Sequence, residues 1–198
     1  MKKKIGIFGG TFNPPHNGHV AAARSFIEQM GLDELWIVPT YIPPHKAYES
    51  SVSCEQRLRM CELAFNDVPR AKVSDIEVRR GGASYTYITL EELRTDDVEL
   101  YFLCGTDMIL SMGTWRNPAR IFELAAICYM RRECDVSNSE KIAQKCREYK
   151  EKFGAEIHEI EGQVIDISSS IIRDNPNTAR FYLPNGVYEY IADMGLYN

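Results

Sequence analysis

The run Lys4-Ile5-Gly6-Ile7-Phe8-Gly9 reads as a short buried strand that stops at Gly9-Gly10, where backbone can turn tightly or admit a ligand. Past the Pro14-Pro15 breaker, residues from about Asn17 to Met30 carry helical spacing, with Gly31 as a stop signal. The same alternation recurs. Glu34–Pro39 is a second strand, followed by a Pro/Tyr/His/Lys loop from Thr40 to Ser51, and Ser53 with Gln56 forms a capping box for a helix to about Asn66. Lys72 to Arg79 alternates as an exposed or edge strand, Gly81-Gly82 breaks it, and Tyr85 to Arg94 reads as helix. Glu99–Gly105 and Leu124–Met130 are further buried strands. A charged amphipathic helix runs from Ser139 to Phe153, a strand lies near Ala155 to Ile160, and short helices follow Ser168 and Pro184. Strands that alternate with helices form a parallel sheet covered on both faces. The expected fold is α/β, a Rossmann-like doubly wound parallel sheet, in one domain over residues 1–198 without internal repeats.

Composition bounds the partners. The chain has 198 residues, 44% hydrophobic and 26% charged, with 23 basic against 28 acidic side chains and a net charge of −5. An acidic chain with pI near 5.5 lacks the basic face that a long polyanion such as nucleic acid requires. A small anion gripped by a few placed cations remains open. No apolar run approaches the roughly 20 residues that span a bilayer, and the Met1-Lys2-Lys3-Lys4 opening leads into a strand rather than a signal-type apolar stretch. The six cysteines (Cys54, Cys61, Cys104, Cys128, Cys134, Cys146) contain no C-x-x-C pair. They read as reduced structural thiols of a cytoplasmic protein.

In a doubly wound sheet, ligands bind beyond the carboxyl ends of the strands, where strand order reverses. Four segments qualify: Gly9 to His19, Thr40 to Lys46, Gly105 to Trp115, and Arg131-Arg132. The first is the most informative. Two glycines after a strand leave room for a phosphate, and a helix that starts near Asn17 turns its free N–H groups and positive dipole end to the same space. His16 and His19 stand three apart at that helix start, with Gly18 between them. Two imidazoles there can donate to a phosphate that gains charge in a transition state, although capping alone is an equally ordinary use of such a pair. The glycine spacing fits neither G-x-G-x-x-G nor a Walker loop. The second segment is Ile167-Ser168-Ser169-Ser170-Ile171-Ile172-Arg173: a serine N-cap offers hydroxyls and N–H groups to an anion, and Arg173 adds a fork of charged donors.

The string Gly9 to His19 resembles the H-x-G-H signature of the nucleotidylyltransferase superfamily, and Ile167 to Arg173 resembles its I-S-S-T-x-I-R motif, with Ser170 in the threonine position. Pro43-Pro44-His45-Lys46, Ser84-Tyr85-Thr86, Gly105-Thr106-Asp107, Thr114-Trp115 and the run Gly186 to Tyr197 extend the likeness over nearly the whole chain, to the bacterial nicotinate mononucleotide adenylyltransferase family. The resemblance implies a nucleotidylyltransferase-type fold and transfer of AMP from ATP to nicotinate mononucleotide. The products would be deamido-NAD and pyrophosphate, with Mg²⁺ carried mainly by ATP rather than by a protein metal site.

The roles implied by the resemblance are these. Gly9, Gly10, Thr11 and Phe12 line the substrate channel. His16, His19 and Arg173 act on the phosphates as the catalytic set, and Lys46 neutralises phosphate charge. Thr86 and Trp115 hold the pyridine, Gly105 and Asp107 approach a ribose, and Ser168 and Ser169 complete the ATP side. Arg116 departs from the family pattern, which has an aromatic there. It leaves carboxylate recognition to main-chain amides, points outward, or contacts the nicotinate carboxylate itself. One of Arg131 and Arg132 reaches ATP phosphates, or both are solvated. Phosphopantetheine adenylyltransferase is a competing enzyme reading, and a nucleotide-sensing module a competing non-enzyme one. ATP and nicotinate mononucleotide are the expected partners, with no nucleic acid and no membrane, in a monomer or homo-oligomer.

Overall fold

A computed structural model describes residues 2–43, 52–131, 138–162, 167–174 and 179–197. Among these residues, six strands form one sheet: β1 (Lys3–Gly10), β2 (Glu34–Pro39), β3 (Ala71–Val73), β4 (Val98–Gly105), β5 (Ala125–Met130) and β6 (Ile157–Ile160). Their order is β3-β2-β1-β4-β5-β6, and every pairing is parallel. The doubly wound parallel sheet expected from the alternation is present. Connection direction reverses between β1 and β4, which pair Ile5 with Leu100 and Phe8 with Leu103. Their carboxyl ends, Gly10 and Gly105, therefore open the crevice in which such sheets bind ligands.

Side chains alternate across each central strand, so β1 and β4 feed two cores. Phe8, Tyr101 and Leu103 pack with α1 (Asn17–Met30), α2 (Cys54–Phe65) and the C-terminal helices α8 (Ser169–Asp174), α9 (Ala179–Tyr182) and α10 (Asn185–Asp193). Ile5, Ile7, Leu100 and Phe102 pack on the other face with α4 (Thr86–Leu93), α5 (Thr106–Ser111), α6 (Pro118–Leu124) and α7 (Ser139–Phe153). Gly6 sits at the tightest approach. A Cβ there would fall 2.5 Å from Leu32 Cδ1 and 2.9 Å from Phe26 Cε1, so a side chain would push α1 and its following turn off the sheet. Cys61, Cys104 and Cys128 are buried hydrophobes, and none of the five described cysteines is bonded to another. Burial pushes the Cys128 thiol up to about 12, so it is inert at neutral pH. Cys134 lies outside the described residues. Among those described, no helix is long and apolar enough to cross a membrane.

The alternating stretch Lys72 to Arg79 is strand only to Val73; Ile76–Arg80 is a short helix, α3. The strand stops because local side chains take over the backbone. Ser74 Oγ accepts the Ile76 N–H at 3.4 Å, and Arg79 pairs with Asp75 at 2.9 Å, one helical turn apart. Leu124 closes α6 rather than opening β5, and β6 starts at Ile157 rather than Ala155.

At the start of β2, Glu34 accepts from Lys3, from Lys72 at 2.5 Å and from Trp36 Nε1 at 2.8 Å. The Lys3 bond first, then those from Lys72 and Trp36, hold its carboxyl down at about 2 against an ordinary 4.5. A depressed carboxyl stabilises the fold above its unfolded value and loses that contribution as pH falls through the folded one. The difference in Tm between the parent and Glu34→Gln should be constant above about pH 4.5 and shrink towards pH 2. A difference that does not change with acid would contradict this assignment.

Candidate active site

Beyond β1 the chain crosses from Gly10 to the start of α1 in six residues, and side-chain packing sets its path. Phe12 has φ 48°, in the left-handed region, and its ring is buried edge-on against Phe8 (5.4 Å between centroids), Phe65 (5.9 Å) and His19 (5.0 Å). That ring fills the space beside Gly10, where a Cβ would lie 3.1 Å from it. His16 is the N-cap of α1. Its N–H donates to His19 Nδ1 at 3.2 Å, and the two imidazoles overlap with centroids 3.7 Å apart. With Nδ1 accepting, a neutral His19 carries its proton on Nε2 and can donate from there.

Distant side chains hold the carbonyl oxygens of the same loop. Arg173 Nη1 donates to Asn13 O at 2.6 Å, and Ser169 Oγ donates to Pro14 O at 2.8 Å. From α2, Arg57 donates through Nη1 to Thr11 O (2.8 Å) and through Nη2 to Tyr41 O (3.2 Å). Tyr197 donates its hydroxyl to Asn13 Oδ1 at 2.5 Å. Carbonyls bonded in this way present less negative potential to an anion above the loop.

The loop forms one wall of a cavity of about 770 Å³, within the range of small-molecule sites. Of the sequence-predicted residues, Gly9, Gly10, Thr11, Phe12 and His19 line this wall, and Ser168, Ser169 and Arg173 line it from α8 and the residues before it. The facing wall is built by Thr86 at the start of α4, Gly105 and Asp107 at the head of α5, and Trp115 with Arg116. Trp115 follows a 3₁₀ turn (Met112–Thr114) and meets Phe102 edge-on at 6.4 Å. His16 is 6% exposed and stands behind His19 rather than on the wall.

Of the remaining predicted residues, one is not described and one falls elsewhere. Lys46 lies outside the described residues, as do Pro44, His45 and Arg132. Arg131 does not line the cavity: Glu159 binds its Nε at 2.6 Å and Ser139 Oγ accepts from Nη1 at 2.7 Å, which turns the guanidinium to β6 and α7. Among the described residues, no three His, Cys, Asp or Glu side chains converge to hold a metal ion.

The sequence reading missed three contributors. Arg57 is fully buried at the head of the apolar stripe Met60, Cys61, Ala64, Phe65, and an arginine in phase with such a stripe is the signal that marks it. Tyr197 joins the wall through a fold-back of the terminus that no local spacing encodes. Glu77, 5% exposed, also lines the cavity; Thr89 Oγ1 donates to its Oε1 at 2.6 Å and accepts from Arg80 Nη2 at 2.9 Å.

The profile of the cytidylyltransferase-like family matches residues 7–175. A probable nicotinate-nucleotide adenylyltransferase of Geobacillus thermodenitrificans is 37% identical over 199 residues, covering 98% of this chain and 86% of that one. Another, from Geotalea uraniireducens, is 36% identical over 212 residues and 98% of both chains. Among solved structures, Plasmodium falciparum nicotinic acid mononucleotide adenylyltransferase complexed with NaAD superposes with a TM-score of 0.77 at 22% identity. That match covers 98% of this chain and 97% of the other and demonstrates the shared fold.

Burial raises the Glu77 carboxyl above its ordinary value of 4.5, and hydrogen bonds from Ser84 and Thr89 and the Arg80 charge offset this only in part. A raised carboxyl contributes most below its unfolded value, and that contribution is lost as pH rises through the folded one. Arg80 also pairs with Glu92 at 3.1 Å, so Glu77→Gln leaves it an acidic partner. The Tm of the parent should therefore fall relative to that variant as pH rises above about 4.5. A Tm difference independent of pH would refute it.

Proposed function

We propose a reaction for this cavity from one premise: the chain belongs to the cytidylyltransferase-like family and, within it, to the nicotinate-nucleotide adenylyltransferases. It transfers AMP from ATP to nicotinate mononucleotide, giving deamido-NAD and pyrophosphate. The observation that carries the site assignment is the bond from Arg173 to Asn13, which joins two motifs 160 residues apart in one clamp.

The mononucleotide phosphate attacks the α-phosphorus of ATP in line, and pyrophosphate leaves from the opposite side. No covalent enzyme intermediate is needed, so catalysis consists of aligning two anions and stabilising the charge that moves between them. His19 donates from Nε2 to the phosphates, and His16 fixes its tautomer through the main-chain bond to Nδ1. The first-turn N–H groups of α1 and the Arg173 guanidinium supply further positive potential. Ser168 and Ser169 line the ATP side, and Lys46 is assigned to phosphate charge. Gly9, Gly10, Thr11 and Phe12 form the channel. Gly105 and Asp107 meet a ribose, and Thr86 and Trp115 take the pyridine, with the indole face against the flat ring. The carboxylates on the cavity wall, Asp107 and Glu77, stand on separate elements, which suits magnesium entering on the ATP phosphates. When bound there, it would neutralise phosphate charge.

His19→Ala should lower kcat by about 100-fold or more with little loss of ATP affinity. Pyrophosphate release from ATP and nicotinate mononucleotide measures it, and near-normal turnover would contradict the mechanism. Binding of both substrates by the parent without pyrophosphate release would instead indicate a sensor.

Arg116 is exposed and lines the cavity beside Trp115. A guanidinium there complements the nicotinate carboxylate and gives nothing comparable to an uncharged amide. Arg116→Ala should reduce the ratio of kcat/KM for the acid over the amide mononucleotide; an unchanged ratio sinks this role.

A further inference from the structure

The segment from Gly105 to Arg116 carries both parts of the proposed nucleoside grip, the Asp107 carboxylate on one short helix and the Trp115 indole directly after one 3₁₀ turn. Two short pieces joined end to end have little rigidity of their own, because each leaves backbone groups unbonded at the join. One hydroxyl outside the cavity bridges that join. Tyr149 on α7 is 1% exposed and does not line the cavity. Its hydroxyl donates to Ile109 O in α5 at 3.1 Å and accepts from Gly113 N in the 3₁₀ turn at 2.9 Å. The next main-chain bond, Trp115 N to Met112 O at 3.1 Å, sets the residue that carries the indole.

The surroundings hold this hydroxyl in place. The ring packs on Phe122 of α6 at 4.9 Å, and Phe122 stacks on Phe153 at 5.1 Å. On the other side, a Cβ at Gly113 would lie 2.9 Å from Tyr149 Cε1 and 3.2 Å from the hydroxyl, so only glycine permits the contact. We propose that Tyr149 is a positioning residue for nicotinate mononucleotide: through Ile109 and Gly113 it sets the placement of Trp115 relative to Asp107. The proposal rests on the nicotinate mononucleotide reading of the cavity. A buried tyrosine hydroxyl finds partners for stability alone in many proteins, so the test must separate a substrate-specific effect from general loosening.

Tyr149→Phe keeps the ring and leaves the Gly113 N–H and Ile109 carbonyl without the hydroxyl. The expected result is a rise of about tenfold in KM for nicotinate mononucleotide, the scale set by losing a buried hydrogen-bond pair, with KM for ATP and kcat within about twofold. In a Trp36→Phe background Trp115 is the single indole, since the chain has two. Quenching of its emission by the mononucleotide should then move to correspondingly higher concentration. Phe153→Leu, which loosens the same cluster without touching the hydrogen bonds, should lower Tm and leave that KM unchanged. If Tyr149→Phe fails to fold, Gly113→Ala displaces the hydroxyl without deleting it and should give the same selective KM change. A parent enzyme that turns over both substrates, with a Tyr149→Phe variant of unchanged KM and a lowered Tm, overturns the proposal alone. A parent that releases no pyrophosphate overturns the functional reading and the proposal with it.

Discussion

The carbonyl oxygens of the loop between β1 and α1 are held by side chains from distant parts of the chain, and the geometry of the cavity depends on those bonds. Arg57 reaches Thr11 from α2, Ser169 reaches Pro14 and Arg173 reaches Asn13 from α8, and Tyr197 reaches the Asn13 side chain from the C-terminal end. A loop of six residues between a strand and a helix could otherwise take several paths. A path that moved these carbonyls would leave the buried Arg57 guanidinium without its acceptor, at a cost of about 1–3 kcal/mol, and would break the bonds of the half-buried Ser169, Arg173 and Tyr197. The parallel sheet supplies the crevice and these long-range bonds decide what faces into it. Arg57 also holds Tyr41 O, so the segment beyond β2 is set by the same side chain as the loop between β1 and α1.

What could be read from the sequence follows from the range of the interactions. The alternation of strands and helices, the capping box at Ser53, the stop at Gly31 and the bounds of α7 are local signals, and the structure repeats them closely. The failures are also local. Lys72 to Arg79 alternates polar and apolar for reasons of two different elements, a three-residue strand and a five-residue helix, each too short to show its own period. Helix α6 begins with Pro118 after Asn117 in the left-handed region, a start signal hidden by the apolar run that follows. At the site, the two motif segments were visible because their residues are contiguous. Glu77 and Tyr197 were not, since their importance lies in partners 12 and 184 residues away, and Arg57, whose partner is 46 residues away, was marked only by its phase with an apolar stripe.

The net charge of −5 sits easily with anionic substrates once charge is placed in space. Arg173 and Arg116 stand on the cavity wall, and Arg57 lies behind it. Asp107 and Glu77 share that wall, while other carboxylates stand in surface pairs such as Arg59 with Glu62, Arg120 with Glu91 and Lys145 with Glu148. Screening limits the reach of those exposed charges to about 10 Å, so a phosphate bound as proposed would respond chiefly to the wall and to the N-terminal end of α1. Arg131 illustrates the same separation: Glu159 neutralises it, and it contributes to the β5–β6 edge instead.

The glycine between the two histidines has a spatial rather than a conformational reason. Gly18 is not among the residues with positive φ, so its backbone would accept any side chain. A Cβ there would instead fall 3.1 Å from His16 Nδ1 and 3.2 Å from its Cε1, forcing that ring aside. His16 is the ring that overlaps His19, and its N–H is the donor that fixes the His19 tautomer. The three-residue spacing puts both imidazoles on one side of the first turn of α1, and the missing methyl lets the rear ring press against the front one. With Phe12 edge-on against the same imidazole, His19 is fixed before any substrate arrives. In the reaction proposed above, His19 would be a donor aimed in advance at the place where charge develops; such a donor needs no reorganisation, which is the condition under which a hydrogen bond contributes most to rate.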